Sequence, residues 1–299
     1  MPGRKRTMLA GLLVALGLLA TPALAQVLRT DGPTGRTGGE IRRGAVTASL
    51  RQRPFTENGL RGTRPVVTVT VNGQRVGQLV GSSAPFPAAL VQIAEMDPAN
   101  PYPEVLLSSF TGGAHCCNDT VVLTSDRSGR VWKPVRLGPF NGGTQPAEDP
   151  SRSGRFVIVS TDNRFLYRFD SYAGSYPPTR IWALEGLRFV DVSRQPQYRP
   201  LHRATFSRMQ QTLAETPQAG NGVLAGYVAT AALLDQFPMA WQQMLRRYDR
   251  SSDWGLTTCP GDRYDDQGRC RSREIVYKSF PEALRAFLIE TGYIGDRQP

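Results

Sequence analysis

The stretch Val67-Thr-Val-Thr-Val-Asn-Gly-Gln-Arg-Val-Gly-Gln-Leu-Val80 decides the class of fold. Val67, Val69 and Val71 alternate with Thr68 and Thr70, the period of a half-buried strand with one apolar face. Asn72-Gly73 is the strongest short hairpin signal, because both residues tolerate the positive φ that a two-residue turn needs. Gln74 to Val80 is then the returning strand. The chain around this hairpin reads as antiparallel β structure.

Toward the N-terminus the periodicity stops. Residues 26–45, rich in Gly, Thr and Arg, read as a flexible leader. Before it, Arg4, Lys5 and Arg6 precede an apolar run from Met8 to Ala20, and Ala23-Leu24-Ala25 is a small-residue cleavage site. Residues 1–25 therefore read as a secretory signal cut between Ala25 and Gln26. No later segment has about 18 continuous apolar residues, so no transmembrane segment is expected after its removal. The expected location is periplasmic or secreted.

The 299 residues carry a formal net charge of +11, and the only lysines are Lys5, Lys133 and Lys278. An exported, arginine-rich chain meets envelope polymers and other proteins rather than a genome. No zinc-knuckle, helix-turn-helix or RNA-binding signature appears, so nucleic acid is not an expected partner. An unknown envelope protein or polysaccharide is.

Toward the C-terminus two similar units follow the hairpin. The first opens at Asp97, enters the strand Glu104–Ser108, and ends in a hairpin of Val121–Ser125 and Arg130–Val135. The second opens at Asp149, enters Arg155–Ser160, and ends in a hairpin of Arg180–Leu184 and Leu187–Val192. Each has the plan turn, buried strand, loop, hairpin, which is a weak repeat.

The first unit contains Pro103-Glu-Val-Leu-Leu-Ser-Ser-Phe-Thr-Gly-Gly-Ala-His-Cys-Cys117, the second Asn163-Arg-Phe-Leu-Tyr-Arg-Phe-Asp-Ser-Tyr-Ala-Gly-Ser-Tyr-Pro-Pro178. Residues 95–195 thereby resemble uncharacterised exported bacterial proteins related to VCBS/FG-GAP repeats. The resemblance implies blade-like β units, which elsewhere carry calcium in a D-x-D-x-D-G-x-x-D loop. This chain departs from that loop. The first unit keeps Asp97, Asn100 and Glu104 without the glycine, and the second keeps Asp149 and Gly154 with serines at the ligand positions. No cofactor is expected. Residues 46–199 hold about three units, fewer than most closed propellers use, so a partial propeller or curved sheets is expected.

From residue 200 to 299 the period changes to that of helices. Phe206, Met209 and Leu213 share one face, as do Leu224, Val228, Ala231 and Leu234, with Asn221 as the cap. Pro238 opens a helix carrying Trp241, Met244, Leu245 and Tyr248. Ser279 with Glu282 is a capping-box pair, and Gly292 ends the last helix. The whole is α+β: a β-rich domain over 46–199, then a helical domain over 200–299.

Four cysteines in an oxidising compartment are expected to pair. Cys259 and Cys270 flank a short polar segment and are expected to staple it. Its Asp262, Asp265 and Asp266 do not follow a calcium-loop spacing. Cys116 and Cys117 are neighbours, expected as a vicinal disulfide. The alternative is a copper, zinc or thiol-redox site on His115 and Cys117, which would share one side of a strand.

With only His115 and His202 in the chain, a Ser-His-Asp triad has few ways to form, and no G-x-S-x-G elbow is present. Asp149, Asp162 and Asp170 in the second unit are the candidates for an envelope hydrolase. The leading expectation is non-enzymatic. Tyr172 and Tyr176, with Arg164, Arg168 and Arg180, are the candidate ledge for a carbohydrate or peptide.

Overall fold

The computed structural model describes residues 26–30, 38–57, 59–84, 88–113, 116–216 and 218–296. It is α+β, with antiparallel sheets in the N-terminal part and four helices in the C-terminal part. The expected signal, including Ala25, lies outside the described residues.

Strand β1 is Gln26–Thr30, followed by β2 (Gly38–Arg43), β3 (Val46–Glu57), β4 (Leu60–Val71) and β5 (Gln74–Val80). Strands β2 to β5 form a four-stranded meander. The β4–β5 turn is at Asn72 and Gly73, with φ of 50° and 79°. Then come β6 (Ala89–Ala94), β7 (Glu104–Phe110), β8 (Cys116–Ser125) and β9 (Trp132–Asn141), which with β1 make a five-stranded sheet in the order β1-β6-β7-β8-β9. A three-stranded sheet follows, β10 (Ile158–Thr161), β11 (Thr179–Glu185) and β12 (Arg188–Asp191).

The leader expectation is corrected by β2, which pairs with β3 from Gly38–Arg51 to Arg43–Val46, and by β1. Leu28 and Thr30 point inward, and the strand pairs along β6 from Gln26–Ile93 to Thr30–Ala89. Five residues give too short a window for the alternation to show. The pairing partners lie 59 to 67 residues away, so the strand is fixed by tertiary contact.

The five-stranded sheet is a middle layer. Val91, Ile93, Val105, Leu107, Val121 and Leu123 pack on Val67, Val69 and Leu79 of the four-stranded sheet. Leu90, Leu106 and Val122 face the opposite way, against Ile158 and Leu184 of the three-stranded sheet. A strand covered on both faces has no polar side, which is why Ala89–Ala94 is buried throughout and does not alternate. The far face of the three-stranded sheet, through Ile181, Ala183 and Val192, packs on Tyr198 and Leu201 at the start of the helical part.

The helices are α1 (Arg199–Glu215), α2 (Asn221–Ala232), α3 (Phe237–Arg247) and α4 (Phe280–Glu290). Every residue of α2 is buried, and its small side chains let the others approach. Two capping expectations are corrected. Gly220 holds the cap position of α2, while the Asn221 amide bridges to the backbone of Asp249 through both its nitrogen and its oxygen. Ser279 does not bond its helix through its side chain; Glu282 instead accepts from the Lys278 N–H at 2.9 Å. Between α3 and α4 runs a loop with a two-stranded ribbon, β13 (Thr257–Thr258) and β14 (Ile275–Val276).

Phe165 and Phe169 leave the second β unit and enter the helical core. Both meet the Phe287 ring edge-on, at 4.9 and 5.4 Å. This one aromatic cluster joins the sheets to the helices.

Candidate functional site

The segment between β10 and β11 carries the predicted ledge. It is irregular, beginning with a 3-10 turn at Asn163–Phe165 that the Asp162 side chain caps. Tyr167 has φ of 58°, a backbone state that costs a tyrosine about 1 kcal/mol or more. That turn separates two residues that a regular strand would place on one face. Phe169 is 1% exposed, and Tyr167 is 49% exposed.

Tyr167 is held in this state from both sides. Its N–H donates to the Ser175 hydroxyl at 3.0 Å, and its carbonyl accepts from the indole N–H of Trp254 at 2.8 Å. Trp254, 45% exposed, comes from the loop after α3. Gly255 beside it has φ of 76°, and a Cβ there would lie 2.1 Å from the Arg168 carbonyl, so only glycine allows the two loops to approach so closely. Arg168 donates to the Gly255 carbonyl at 3.2 Å and covers the rings of Phe169 and Phe287. Tyr172 lies against Tyr167 with ring centres 5.7 Å apart, and its hydroxyl donates to Asn141 Oδ1 at 2.8 Å. The result is a ledge of three aromatic rings, with Trp254 and Tyr172 tied through their polar ends and Tyr167 through its backbone.

The five predicted ledge residues therefore separate. Tyr172 is on the ledge. Tyr176 packs against the helical core, and Arg168 is an internal tie between loops. Arg164 and Arg180 line a neighbouring cleft with Pro139, Phe140 and Trp182. Arg180 lies 4.3 Å over the Trp182 ring and pairs with Asp191. Sequence reasoning missed Trp254, which approaches only because of tertiary packing. The positive φ of Tyr167 had no signal in the sequence.

The carboxylates proposed for hydrolysis do not converge. Asp149 accepts from the N–H groups of Ser153 and Gly154 in its own turn. Asp170 sits against Gly174 and Gly220 at the start of α2. Asp162 accepts from Arg164 and, at 3.0 Å, from the buried Tyr293 hydroxyl. Burial and this carboxylate push the Tyr293 hydroxyl well above the usual phenol range. Burial opposes the charge on Asp191, yet hydrogen bonds from Ser193 and Arg180 hold its carboxyl below the ordinary value.

Cys259 and Cys270 are bonded to each other, and Cys117 is also in a disulfide. His115 and the Cys116 side chain lie outside the described residues. A metal site using the Cys117 thiolate is therefore not available in this oxidised state. Among the described residues no group of three or more His, Cys, Asp or Glu side chains converges to hold a metal. None of their helices is long and apolar enough to cross a membrane.

The stacked sheets, helical cap and oxidised cysteines mark a disulfide-bearing α+β protein. The chain belongs to the sll0997 family. Residues 202–292 match the model of the sll0997 C-terminal domain. The chain is 47% identical over 262 residues to the "Probable thylakoid lumen protein sll0997" of Synechocystis sp., an alignment covering 87% of this chain and 76% of that one. It is 33% identical over 209 residues to the "Uncharacterized protein y4bJ" of Sinorhizobium fredii, covering 69% of this chain and 32% of that relative. No solved structure matches the chain.

Proposed function

We propose that this is an exported, non-enzymatic binding protein that holds an envelope polysaccharide on the ledge of Tyr167, Tyr172 and Trp254. The observation that carries this reading is the locked pair of loops at Tyr167 and Trp254. A strained backbone and a glycine-dependent contact together keep two large rings half in solvent, where rings ordinarily bury. Flat ring faces held in place in this way suit the apolar face of a sugar ring. A peptide side chain asks for a pocket, and none of the clefts described here is lined by these rings.

The extracytoplasmic location rests on the N-terminal signal pattern, the disulfides, and the lumenal assignment in the name of the Synechocystis relative. The two β units read as degenerate copies of one blade, each opened by an aspartate that accepts backbone N–H groups of its own turn.

The test is co-sedimentation with purified peptidoglycan sacculi, chitin and cellulose. The protein is expected to sediment with at least one of them, and Trp254→Ala and Tyr167→Ala to reduce the bound fraction at least tenfold at unchanged circular dichroism. No sedimentation with any of the three, or equal sedimentation of both variants, overturns the reading.

A further inference from the structure

Beside the ledge, the junction of β11, the segment after β12 and the C-terminal end of α4 encloses a second place with different chemistry. Arg164, Arg180, Asp191, Arg194, Gly292 and Tyr293 line a cavity of about 130 Å³. Behind it lies Asp162, joined to both Arg164 and Tyr293. Three guanidiniums thus face two carboxylates, leaving one positive charge over.

The arginines differ in what they have left to give. Arg164 has Nε and Nη2 on Asp162 and Nη1 on the Thr291 carbonyl, so its whole fork is engaged. Arg180 uses Nε and Nη2 on Asp191, and among the described residues Nη1 has no acceptor. Arg194 reaches the carbonyls of Gly292 and Tyr293 through Nη2, and among the described residues nothing accepts from Nε or Nη1. Two guanidiniums held in place by other bonds, each with donors to spare, are a pre-organised clamp for an oxyanion. Arg180 cannot swing away, because it is fixed between Asp191 and the Trp182 ring.

The cavity has room for a carboxylate or phosphate group. Arg164 and Arg180 are shared with the adjoining cleft of about 250 Å³, whose floor is Pro139, Phe140 and Trp182. The pair of spaces offers charge at one end and apolar surface at the other. We infer that this double cleft is a binding site for a small organic anion, a carboxylate or phosphate carried on an apolar ring. The anionic group would meet Arg180 and Arg194, and the ring would lie toward Trp182. The site stands independently of the polysaccharide ledge.

The test is isothermal titration calorimetry of the full chain with benzoate, phenyl phosphate and inorganic phosphate at constant ionic strength. Benzoate or phenyl phosphate is expected to bind one to one, and inorganic phosphate at least tenfold more weakly because it lacks the ring. Arg180→Gln and Arg194→Gln are each expected to raise Kd at least tenfold, while Trp254→Ala leaves it unchanged. Arg194 is exposed, so its variant decides the matter if Arg180→Gln fails to fold. Absence of saturable binding by both ring-bearing anions overturns the proposal. So does an affinity unchanged in the arginine variants, or equal affinity for bare and ring-bearing anions. Loss of sedimentation on polysaccharide bears only on the ledge.

Discussion

The Tyr293 hydroxyl donates to Asp162 Oδ2 at 3.0 Å, joining the segment after the last helix to the second β unit across 131 positions. Both groups are buried, and Arg164 pairs with Asp162 from the other side. The Arg164 guanidinium is in turn raised above its usual value by hydrogen bonding to Asp162. Tyr293→Phe removes one donor from a buried carboxylate and leaves the ring in place. It is expected to lower the unfolding free energy by about 1–3 kcal/mol in urea titration. A loss below measurement error would show that this bond does not couple the two parts.

Gly226 inverts the usual rule for glycine in a helix. In mid-helix, glycine costs roughly 0.5–1 kcal/mol relative to alanine. Here a Cβ would stand 1.7 Å from the Tyr176 carbonyl oxygen, which is backbone and cannot rotate away. Gly226→Ala is therefore expected to destabilise by about 2 kcal/mol or more, as overpacking does. A rise in Tm would mean that α2 does not lie against the 176 segment.

Glu104 is fully buried in a ring of donors. Met96 and Asp97 N–H groups reach Oε2 at 2.7 and 3.1 Å, and Asn100 and Thr124 reach Oε1 at 2.7 and 3.0 Å. Burial outweighs these bonds and pushes the carboxyl up to about 7. A folded-state value above the unfolded 4.5 means that the group's stabilisation is complete below pH 4.5 and is lost as pH rises through 7. The loss is on the order of 3 kcal/mol for a shift of this size. Glu104→Gln cannot titrate, so it is expected to flatten the fall of unfolding free energy over that window. It also lowers stability at pH 4.5, because its amide N–H₂ opposes the existing donors. An unchanged slope would assign the pH dependence elsewhere.

His202 has the opposite sign. It is 1% exposed, its Nε2 donates to the Ser193 carbonyl at 2.7 Å, and its Nδ1 has no partner among the described residues. Burial lowers its value below the ordinary 6.5. The unfolded chain then takes a proton that the folded one refuses, so stability present above pH 6.5 is lost as pH falls. His202→Gln preserves a donor to Ser193 without the titration. It is expected to abolish the acid-side loss, and persistence of that loss would exclude His202 as its source.

The sequence showed the β4–β5 hairpin because it is local: Asn72-Gly73 turns where it was expected. The helices were legible from period and proline, since α3 begins around Pro238 and α4 ends before Gly292. What could not be read depends on distant partners. β1 exists only by pairing with β6, and Trp254 joins the ledge only because Gly255 allows the approach to Arg168. The same cause divided the predicted arginines. Spacing places Arg164, Arg168 and Arg180 in one aromatic segment, but the acceptors that fix them are Asp162, Gly255 and Asp191. The stacking of three sheets had one visible trace, the short apolar triplets Ala89–Val91 and Val105–Leu107 in β6 and β7, where both faces are covered.

The cysteines supply the last prediction. Cys117 is oxidised and Cys259 is bonded to Cys270, 11 positions away. By elimination Cys116 is the proposed partner of Cys117. Protein exported into an oxidising compartment and treated with iodoacetamide without reductant is expected to gain no label in intact mass. After reduction under denaturing conditions it is expected to gain four. Two labels before reduction, mapped to Cys116 and Cys117, would mean persistent neighbouring thiols beside His115 and would return the metal or redox reading to consideration. The 259–270 disulfide is separable from this pair. In the chain-entropy model a loop of that length contributes about 3 kcal/mol. The paired variant Cys259→Ser with Cys270→Ser is accordingly expected to lower unfolding free energy by up to that amount. Residues 260–269 are held to the rest of the chain mainly by their own turn bonds, so the loss should appear first as local proteolytic cleavage between them. Cleavage elsewhere in the chain at the same rate would show that the staple supports the whole fold and not its own loop.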